Sequence, residues 1–570
     1  MAEGYARVAL TNSYEFAQGS GYALPEYPFV APPELGSGKP GRHAIVIAGG
    51  GLAGLTMACS LARLGVAAVL LDEDNTVGVK GASSRGICYT QRSLEIFQRL
   101  GVYDKIAGKG IQWSVGRTFA GDDEVYSFDL KQQAQYNLSC QPPFINIQQF
   151  YIEAFLVDRI RELGHVDLRW NNRITAFQDG RVATLTVATP QGEYTIEADH
   201  VIDATGSRSP FRKWVGASVT AKKGDDRWCI ADVRFSKHPP VERHTWIEAP
   251  FNDNRAVWQH LMGDGVWRID YQMAPNADPE QVSREDVVRE RLSRQFGADC
   301  ELEIVWVGPY AYRSECVDQM RHGRVFFMGD AAKVVSPFGA RGGNTGIADA
   351  ENLAWKLAAV VKGRAAPSLL DTYHDERHEA ARQNVLVTNR TARFLRPADG
   401  AERLFRSAAL SLARQYPFAR QFVNTGRMAI ANPYTASRAC CDGGGLPVQN
   451  VAFRWADGAA GTVNDLLQWA DGRLLLMLFG DVAASDLRRV QALAASAPLL
   501  AVQVVGKGDR AAAREHVRDP QGHLKGACHV FGHSWALVRP DAYVAATGEA
   551  VDASLVEALG KALGTAEVAA

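Results

Sequence analysis

A glycine-rich turn between a buried strand and an apolar helix constrains the fold most strongly. Gly49, Gly51 and Gly54 form the pattern G-x-G-x-x-G, after the apolar run HAIVIA and before LTMACSLARLG. A second apolar run, VAAVLLD, follows the helix and ends in Asp72. A strand, a helix and a strand within about 30 residues predict a parallel βαβ unit.

The glycines and the acid together predict a dinucleotide site. Such glycines allow a tight turn, let the backbone approach a pyrophosphate, and let the helix pack closely on the strand. The start of the helix, which includes Ala53, offers unpaired amides to the phosphates. Asp72 stands 18 residues after Gly54, where a carboxylate can accept hydrogen bonds from a ribose diol. Two alternatives stay open, namely a glycine turn that only packs and a solvated carboxylate at the strand end.

A second motif lies about 280 positions further on, in GRVFFMGDAAKVVSPFGARGGNTGIADAENLAWKL. It resembles the GD motif of the single-component FAD-dependent aromatic hydroxylases, which include p-hydroxybenzoate hydroxylase, phenol hydroxylases and 3-(3-hydroxyphenyl)propionate hydroxylases. The segments SSRGICYTQRSLEIFQRLGVYDKI, FINIQQFYIEAFL and LLDTYHDER are similar to further parts of that family. The resemblance covers residues 43–395. It implies tightly and non-covalently bound FAD, which a glycine fingerprint alone does not distinguish from NAD.

The resemblance also assigns roles to single residues. In that family an Asp contacts the ribityl chain, a loop with a Pro passes the isoalloxazine ring, and a helix N-terminus points at the pyrimidine ring. Amides at such a helix end stabilise the negative charge of a reduced flavin. The matching positions are here Asp330, Pro337, Gly342, Gly343 and Asn344.

Two further cofactor residues follow from the resemblance. Arg85 takes the place of an Arg that contacts the cofactor, and Gln149 matches the flavin-binding Gln, with Gln148 as the second choice. Structural alternatives stay open for these positions. Arg85 also suits a surface salt bridge, Gln149 a helix cap, and Pro337 the shaping of a loop.

The reaction is likewise implied by the resemblance. NAD(P)H binds transiently and reduces FAD, O2 adds at flavin C4a, and the hydroperoxide transfers its terminal oxygen to a small phenolic or related aromatic substrate. The protein orients the ring and excludes water. A single fingerprint, without a close redox Cys pair or a W-x-W-x-I-P pattern, excludes disulfide reductases and halogenases. Two alternatives are a Baeyer–Villiger or epoxidising oxygenase of a polyketide-like substrate, and a flavin-binding protein without turnover.

Two positions depart from the family pattern. Thr205 stands before Gly206 where an Asp is expected, and Asp203 is the alternative carboxylate two residues earlier. Lys333 stands where many members have His. These departures bear on NAD(P)H handling, and the sequence leaves the choice between NADH and NADPH open.

The group that activates the substrate is expected in residues 221–319. A phenol is a better nucleophile when it is deprotonated, so a base or a cation near its hydroxyl is expected. This region is dense in Trp, His, Arg and Tyr, although such a residue on a strand more often packs in a core. The candidates on presumed strands are His244, Trp246, Gln259, His260 and Tyr271.

The predicted fold is α/β, with a Rossmann-like FAD-binding domain, an antiparallel-sheet substrate domain and a C-terminal thioredoxin-like domain. The tail resembles the last domain of phenol-hydroxylase-type members. Because it contains one cysteine, Cys528, and no CxxC, a structural task is expected. The predicted segments are an irregular extension (1–40), the discontinuous FAD-binding domain (41–220 and 320–395), the substrate domain (221–319), a helical connector with linker (396–444) and the thioredoxin-like domain (445–570).

The net charge and the cysteine pattern of the chain limit the expected binding partners and the expected cellular compartment. The 62 Lys and Arg residues nearly balance 63 Asp and Glu residues, so no nucleic-acid or anionic-membrane partner is expected. Nine cysteines are scattered along the chain, and the adjacent Cys440 and Cys441 do not form a metal or redox motif. Reduced thiols, the lack of a signal peptide and the lack of a long apolar run predict a cytoplasmic protein. A homodimer is expected from the family.

Overall fold

The structure of the protein is a computed structural model that describes residues 22, 24–78 and 86–565. Arg85, a predicted cofactor residue, lies outside the described residues. The strands, in chain order, are β1 (Gly41–Ala48), β2 (Ala68–Leu71), β3 (Cys88–Thr90), β4 (Ile111–Gln112), β5 (Val115–Ala120), β6 (Asp123–Asp129), β7 (Phe144–Asn146), β8 (Val166–Arg169), β9 (Arg173–Gln178), β10 (Ala183–Thr189), β11 (Gly192–Asp203), β12 (Val219–Phe235), β13 (Arg243–Ala249), β14 (Arg255–Leu261), β15 (Val266–Gln272), β16 (Leu302–Val317), β17 (Arg321–His322), β18 (Val325–Phe327), β19 (Lys333–Val334), β20 (Ala452–Trp455), β21 (Ala460–Thr462), β22 (Leu474–Phe479), β23 (Leu499–Val505), β24 (His516–Arg518), β25 (Trp535–Val538) and β26 (Val544–Gly548).

The helices alternate with these strands in both halves of the chain. In chain order they are α1 (Leu52–Arg63), α2 (Gln91–Leu100), α3 (Tyr103–Lys109), α4 (Gln149–Leu163), α5 (Phe211–Trp214), α6 (Pro279–Val282), α7 (Glu285–Phe296), α8 (Gly342–Val361), α9 (Thr372–Leu395), α10 (Gly400–Gln415), α11 (Val463–Ala470), α12 (Ala484–Ser496), α13 (His523–Ala527) and α14 (Ala553–Ala562).

The first sheet is built around the predicted βαβ unit. Six of its eight strands follow the order β17–β18–β11–β1–β2–β8, and β10 pairs with β11 and with β9. β1 pairs in parallel with both β11 and β2. The end of β1, from Ile45 to Ala48, is completely buried, as expected for a parallel strand with both faces covered. The glycine turn follows β1 directly, and α1 begins at Leu52.

The second sheet is predominantly antiparallel and follows the order β19–β16–β12–β15–β14–β13–β5–β6. It contains the strands expected in 221–319, but also the hairpin β5–β6 from an earlier part of the chain. This hairpin joins the sheet edge through a parallel pairing of β5 with β13. Such a pairing is non-local, so the alternation within 221–319 does not indicate it.

The C-terminal sheet follows the order β21–β20–β24–β23–β22–β25–β26. Its centre is parallel, where β23 pairs with β22 and β24, whereas β25 and β26 form an antiparallel edge. Apolar clusters cover both faces of this sheet. Thr462 and Asp465 form a capping box that satisfies free amides at the N-terminus of α11. The predicted α/β class with three domain types is confirmed.

The N-terminal segment packs on the first sheet without regular structure from residue 24 to residue 40. Leu24 is buried, and Tyr27 stacks on Trp170 with a ring-centroid distance of 4.5 Å. All nine cysteines are free thiols. Among the described residues, no helix combines the length and the apolar character that a membrane span requires, and no His, Cys, Asp and Glu cluster is arranged to hold a metal ion.

Candidate active site

The two glycine motifs of the sequence line one cavity of about 1180 Å³. Residues of the turn after β1 lie on its wall, and so do residues of the loop that leads into α8. The two motifs also pack directly on each other. A Cβ atom added to Gly343 would lie 3.1 Å from Leu52 Cδ2, and one added to Gly329 would lie 2.9 Å from Ala53 Cβ. The predicted convergence of the two motifs is therefore present in the fold.

The three glycines of the turn meet different steric demands. Gly49 has a φ of +103°, and a Cβ there would lie 2.5 Å from the carbonyl oxygen of Ala204. A Cβ on Gly54 would lie 1.9 Å from the carbonyl oxygen of Gly49, and Gly54 is outside the cavity wall. A Cβ on Gly51 would meet no atom within 4 Å, since this residue faces open cavity. Gly54 thus serves packing, whereas Gly51 leaves room for a ligand.

Asp72 lies on the cavity wall at the end of β2. Its carboxylate accepts hydrogen bonds from the amides of Gly50 and Asp74, the second at 2.8 Å. These bonds hold the acid beside the glycine turn, so the turn and the carboxylate face the same ligand volume. This arrangement matches what the ribose and pyrophosphate of a dinucleotide require.

A buried ion cluster supports the turn that carries Asp330. Asp330 is exposed towards the cavity in a short turn after β18, and the amide of Gly329 donates to Asp349 Oδ2 at 3.0 Å. The same carboxylate binds Arg377 Nε at 2.7 Å and the ammonium of Lys333. Lys333, the second predicted departure from the family pattern, is fully buried and outside the cavity wall, so its charge holds the turn instead of facing a ligand.

The start of α8 contributes backbone to the cavity. Gly342 and Gly343 lie on the wall, next to the loop of Pro337. Asn344 also reaches the wall, but its side chain bonds to protein on every side. Its oxygen accepts from the Thr90 amide and the Ser93 hydroxyl, and its nitrogen donates to the carbonyls of Cys88 and Ala340. Asn344 therefore fastens α8 to β3 and α2 through its side chain.

Gln149, at the start of α4, lies on the wall, whereas Gln148 points away from it. Gln149 donates to Glu153 Oε1 at 2.7 Å, and Gln148 donates to the carbonyl of Gly263 at 3.0 Å. Burial raises the pKa of the Glu153 carboxyl to about 7, although the Gln149 amide and the Gly78 amide favour its charged form. Glu153 is a wall residue that the sequence did not single out.

The Asp203 carboxylate does not face the cavity in place of the missing family Asp. It is fully buried and accepts hydrogen bonds from the amide and hydroxyl of Thr205, at 3.0 and 2.6 Å, and from the hydroxyl of Ser209. Thr205 itself lies on the wall. Asp203 thus fixes the shape of the loop from 204 to 210.

The second sheet forms the remaining wall of the cavity with one of its two faces. Trp258 and His260 of β14 point into the cavity, and so do Arg268 and Asp270 of β15. Arg243, at the start of β13, joins them. Alternate residues of a strand share a face, so Trp258 could have been inferred from His260. The position of Arg243 depends on strand pairing, which the sequence does not indicate.

The other predicted candidates lie on the opposite face of this sheet. His244 bonds to Glu242 at 3.1 Å, and Trp246 stacks on Phe119. Tyr271 is fully buried and donates to Gln295 of α7, at 2.8 Å. Four of the five candidates therefore have structural partners away from the cavity, namely His244, Trp246, Gln259 and Tyr271. The sequence did not separate them from His260, because the alternation along a strand does not tell which face adjoins the cavity.

The cavity face of the sheet is electrostatically positive around His260. Burial and the two nearby guanidinium groups of Arg243 and Arg268 lower the pKa of His260 well below its usual range. The imidazole is therefore neutral at pH 7, and its Nδ1 is buried without a hydrogen-bond partner among the residues that the structure describes. Arg268 is neutralised by Asp270, with Nε and Oδ1 2.9 Å apart.

The hydrogen-bonding groups and the open volume of the cavity fit FAD. The open position at Gly51 and the amides at the start of α1 suit a pyrophosphate, and Asp72 suits a ribose. Asp330, the Pro337 loop and the backbone at the start of α8 lie on the same wall, where the ribityl chain and the ring system would be held. The volume of about 1180 Å³ leaves space for a second molecule beside the aromatic face of the sheet.

The sequence of this chain is similar to those of known proteins. The family described as FAD binding domain matches residues 42–388. A 3-(3-hydroxy-phenyl)propionate/3-hydroxycinnamic acid hydroxylase of Mycolicibacterium smegmatis is 27% identical, over 68% of this chain and 67% of that protein. A flavin-dependent monooxygenase of Mycobacteroides abscessus is 31% identical, over 62% of this chain and 76% of that protein.

Solved structures show the same fold over almost the whole chain. The crystal structure of the flavin-dependent monooxygenase PieE, in complex with FAD and substrate, has a TM-score of 0.77 and is 23% identical. It covers 93% of this chain, and the match includes 100% of PieE. The predicted recognition, the cofactor FAD and the class of flavoprotein monooxygenase are confirmed. The chain belongs to the FAD binding domain family, in which its relatives are flavin-dependent monooxygenases and hydroxylases.

Proposed function

We propose that this protein consumes NAD(P)H and O2 and hydroxylates a phenolic or related aromatic compound. The observation that carries the proposal is the single cavity, in which the flavin motifs and one face of the second sheet share a wall. A substrate held on that face would lie beside the cofactor. The relatives named as hydroxylases of 3-hydroxyphenyl acids support an aromatic substrate.

In this proposal FAD supplies the redox chemistry, which is the uptake of hydride and the activation of O2. The chain binds its phosphates at Gly51 and the start of α1, and its ribose at Asp72. Asp330 and the backbone of Gly342 and Gly343 hold the remaining part. The amides at the start of α8 stabilise negative charge on the ring system, as a helix N-terminus does.

The sheet face has the task of orienting an aromatic ring and keeping water out. Trp258 is 4% exposed and stacks on Trp228, with ring centroids 4.6 Å apart, so it forms a rigid apolar wall. Tyr310 adds a second aromatic side chain to the lining. A rigid and dry wall fixes the ring in one orientation, which favours transfer of oxygen to one position.

A substrate panel tests the proposal. The FAD-loaded protein is mixed with NADH or NADPH and with substituted phenols, while NAD(P)H oxidation, O2 uptake and product mass are followed. A phenol that accelerates NAD(P)H oxidation and gains one oxygen atom from labelled O2 supports ring hydroxylation. Gain of that atom as an ester or an epoxide would show the alternative oxygenase reaction. A flavin that NADH and NADPH leave oxidised would exclude both reactions.

A further inference from the structure

One residue of the cavity wall comes from outside the part of the chain that the family matches. Within the residues that the structure describes, Met428 is the only wall residue that does not lie between residues 42 and 388. It belongs to an irregular segment, residues 424–430, which lies beyond α10 in the chain. The sequence predicts a helical connector and linker here and does not assign this region to the site. The shape that Met428 gives to the cavity is therefore not described by the family match.

The backbone of this segment is fixed against the loop before α8 (residues 335–341). The amide of Ala429 donates to the Gly339 carbonyl at 2.8 Å. Arg341 Nη2 donates to the Arg427 carbonyl at 3.2 Å. A Cβ on Gly339 would lie 2.2 Å from the carbonyl oxygen of Arg427, so the two backbones are in close contact. Gly339 and Arg341 are themselves wall residues, so the segment is held at the edge of the cavity.

The Met428 side chain is partly buried between the second sheet and the loop before α8. Nη1 of Arg243, at the start of β13, donates to its sulfur at 3.3 Å. The side chain also packs against an apolar cluster, and Ala340 of the loop packs against the same cluster. Met428 thus occupies the junction of the sheet face and this loop, which is where the proposed function places the reacting ring of a substrate.

The apolar cluster next to Met428 is rich in aromatic side chains. Its buried members are Trp113, Leu130, Tyr136 and Phe144. Trp113 and Phe144 stack with ring centroids 5.6 Å apart. None of the four lies on the cavity wall, whereas Cys88, Ala340 and Met428, which pack against the cluster, do. Met428 has the longest side chain of these three, so a shorter residue there would extend the cavity towards the aromatic cluster.

We propose that Met428 is a specificity-determining residue, which limits how far the ring system of the substrate extends from the flavin towards this aromatic cluster. The inference rests on the proposed aromatic hydroxylation and adds a limit on substrate size to it. Methionine is unbranched and flexible, so its side chain adapts to the edge of a substrate while the backbone stays fixed. One methylene more or less in an apolar pocket changes the discrimination between substrates by about 10- to 200-fold.

Two phenols of different size test the proposal with the FAD-loaded protein. Phenol and 2-naphthol carry the same hydroxyl group, and 2-naphthol adds one fused ring. Their dissociation constants are measured from the change in flavin absorbance on binding, and the ratio of the two constants reports the selectivity for size. The titrations use wild type, Met428→Ala, Met428→Leu, Met428→Phe and the control Ile430→Ala.

Ile430 is a matched control because it lies on the same segment, is 55% exposed and is outside the cavity wall. Met428→Ala should favour 2-naphthol about 10-fold more than wild type does, because the cavity then reaches the aromatic cluster. Met428→Phe should disfavour 2-naphthol by a similar factor. Met428→Leu conserves the volume of the side chain and should keep the ratio of wild type, and so should Ile430→Ala.

An unchanged ratio in Met428→Ala, or an equal change in Ile430→Ala, would overturn the proposal. An equal change in Met428→Leu would also overturn it, because the effect would then belong to the sulfur contact with Arg243 and not to size. Retained flavin absorbance shows that a variant is folded; should Met428→Ala not fold, Met428→Phe decides, since its preference for 2-naphthol has to fall.

The same variants separate this proposal from the proposed function. A ratio that depends on residue 428, without hydroxylation of either phenol, would leave the size limit standing and refute the hydroxylation. Hydroxylation of both phenols with the same relative kcat/KM by wild type, Met428→Ala and Met428→Phe would refute the size limit alone.

Discussion

The lack of a side chain at the glycines of the turn after β1 serves two separate purposes. Gly49 and Gly54 allow the turn and α1 to pack, since a Cβ on either would collide with backbone oxygen. Gly51 is different, because it has a φ of −80° and open space where a Cβ would project. A side chain at position 51 therefore disturbs a ligand and not the fold.

Gly51→Val should consequently fold but fail to retain FAD. The branched side chain would enter the volume that the pyrophosphate requires, while its own backbone conformation is allowed. We expect at least a 100-fold loss of FAD affinity, read from the ratio of absorbance at 450 and 280 nm after gel filtration, and an unchanged circular dichroism spectrum.

Gly108→Val is the control for that prediction. Gly108 is exposed on α3, and a Cβ there would also meet no atom within 4 Å. This variant should bind FAD like wild type. Equal flavin content in Gly51→Val and Gly108→Val would show that the pyrophosphate is not held at this turn.

Asp232, on β12 of the second sheet and paired with Arg268 of β15, makes the stability of the protein depend on pH. Burial raises the pKa of its carboxyl to about 7, from 3.8, although Arg268 and the Tyr22 hydroxyl favour the charged form. The stabilising contribution of the protonated acid is complete below about pH 4 and is lost as the pH rises through 7. This rise in the pKa of the Asp232 carboxyl corresponds to about 4 kcal/mol as an upper limit.

Asp232→Asn should therefore gain thermal stability relative to wild type as the pH rises from 5 to 8. The amide keeps an oxygen that accepts from the Tyr22 hydroxyl, which lies 2.8 Å from Oδ2 in wild type. Midpoints of thermal unfolding, measured at each pH for both proteins, check this. Asp122→Asn, at the exposed turn between β5 and β6, should show no such trend, and a constant difference for Asp232→Asn would contradict the assignment.

At the scale of elements, the start of α8 is placed by one amide side chain. Asn344 connects it to β3 and α2 by two accepted hydrogen bonds and one donated hydrogen bond, and it donates a second one to the Ala340 carbonyl before α8; all four are between 2.6 and 3.0 Å long. Both the nitrogen and the oxygen are used, so neither the acid nor an apolar residue can replace the amide. The position of the helix N-terminus at the cavity follows from these bonds.

Asn344→Asp should lower the stability of the protein by about 2–4 kcal/mol, because a carboxylate oxygen would face the carbonyls of Cys88 and Ala340 in a buried place. Thermal unfolding of the FAD-free protein measures the loss, and FAD release should accelerate as well. Asn389→Asp on α9 is the matched control, since within the described part of the chain its side chain bonds through its oxygen alone, as the acceptor of the Ser314 hydroxyl at 3.1 Å. A loss of equal size in both variants would refute the role of the donated bonds.

Local sequence patterns predict the helices and strands well, but they do not predict which face of a strand adjoins the cavity. The strand, turn, helix and acid at 43–72 and the helix after Asp330 are read from contiguous residues, and the structure contains both. The choice between His260 and His244 depends instead on which face of β13 and β14 adjoins the cavity. That choice is made by the pairing of distant strands, including the hairpin β5–β6, and no local period carries this information.

At the scale of the whole molecule, buried charges join the C-terminal domain to the helices behind the cavity. Arg539, after β25, is fully buried and binds both oxygens of Glu376 on α9, at 2.5 and 2.8 Å. It also binds Asp541, at 2.6 Å, while Lys356 of α8 binds Glu376 at 2.7 Å. Burial opposes ionisation of Glu376, but Arg539 and Lys356 outweigh it and hold the pKa of that carboxyl well below its usual range.

This cluster ties the third domain to the cofactor site, because α8 carries both Lys356 and the backbone of Gly342 and Gly343 at the cavity. Weaker contacts between the C-terminal domain and α8 should therefore accelerate the dissociation of FAD. The sequence, which has a single Cys528 and no CxxC in that domain, predicts a structural task for it.

Arg539→Met tests this coupling, because it removes the shared partner of two buried carboxylates. We expect a loss of about 3–5 kcal/mol, as for other buried pairs broken on one side. The first thermal transition should fall, limited proteolysis near the segment from 440 to 447 should accelerate, and FAD should dissociate faster. Arg438→Met is the control, since Arg438 pairs with Asp375 of the same α9 while about half exposed, which is worth at most about 1 kcal/mol. If Arg539→Met destabilises the protein without changing FAD release, the C-terminal domain is a separate unit and the buried cluster does not transmit its position to the cavity.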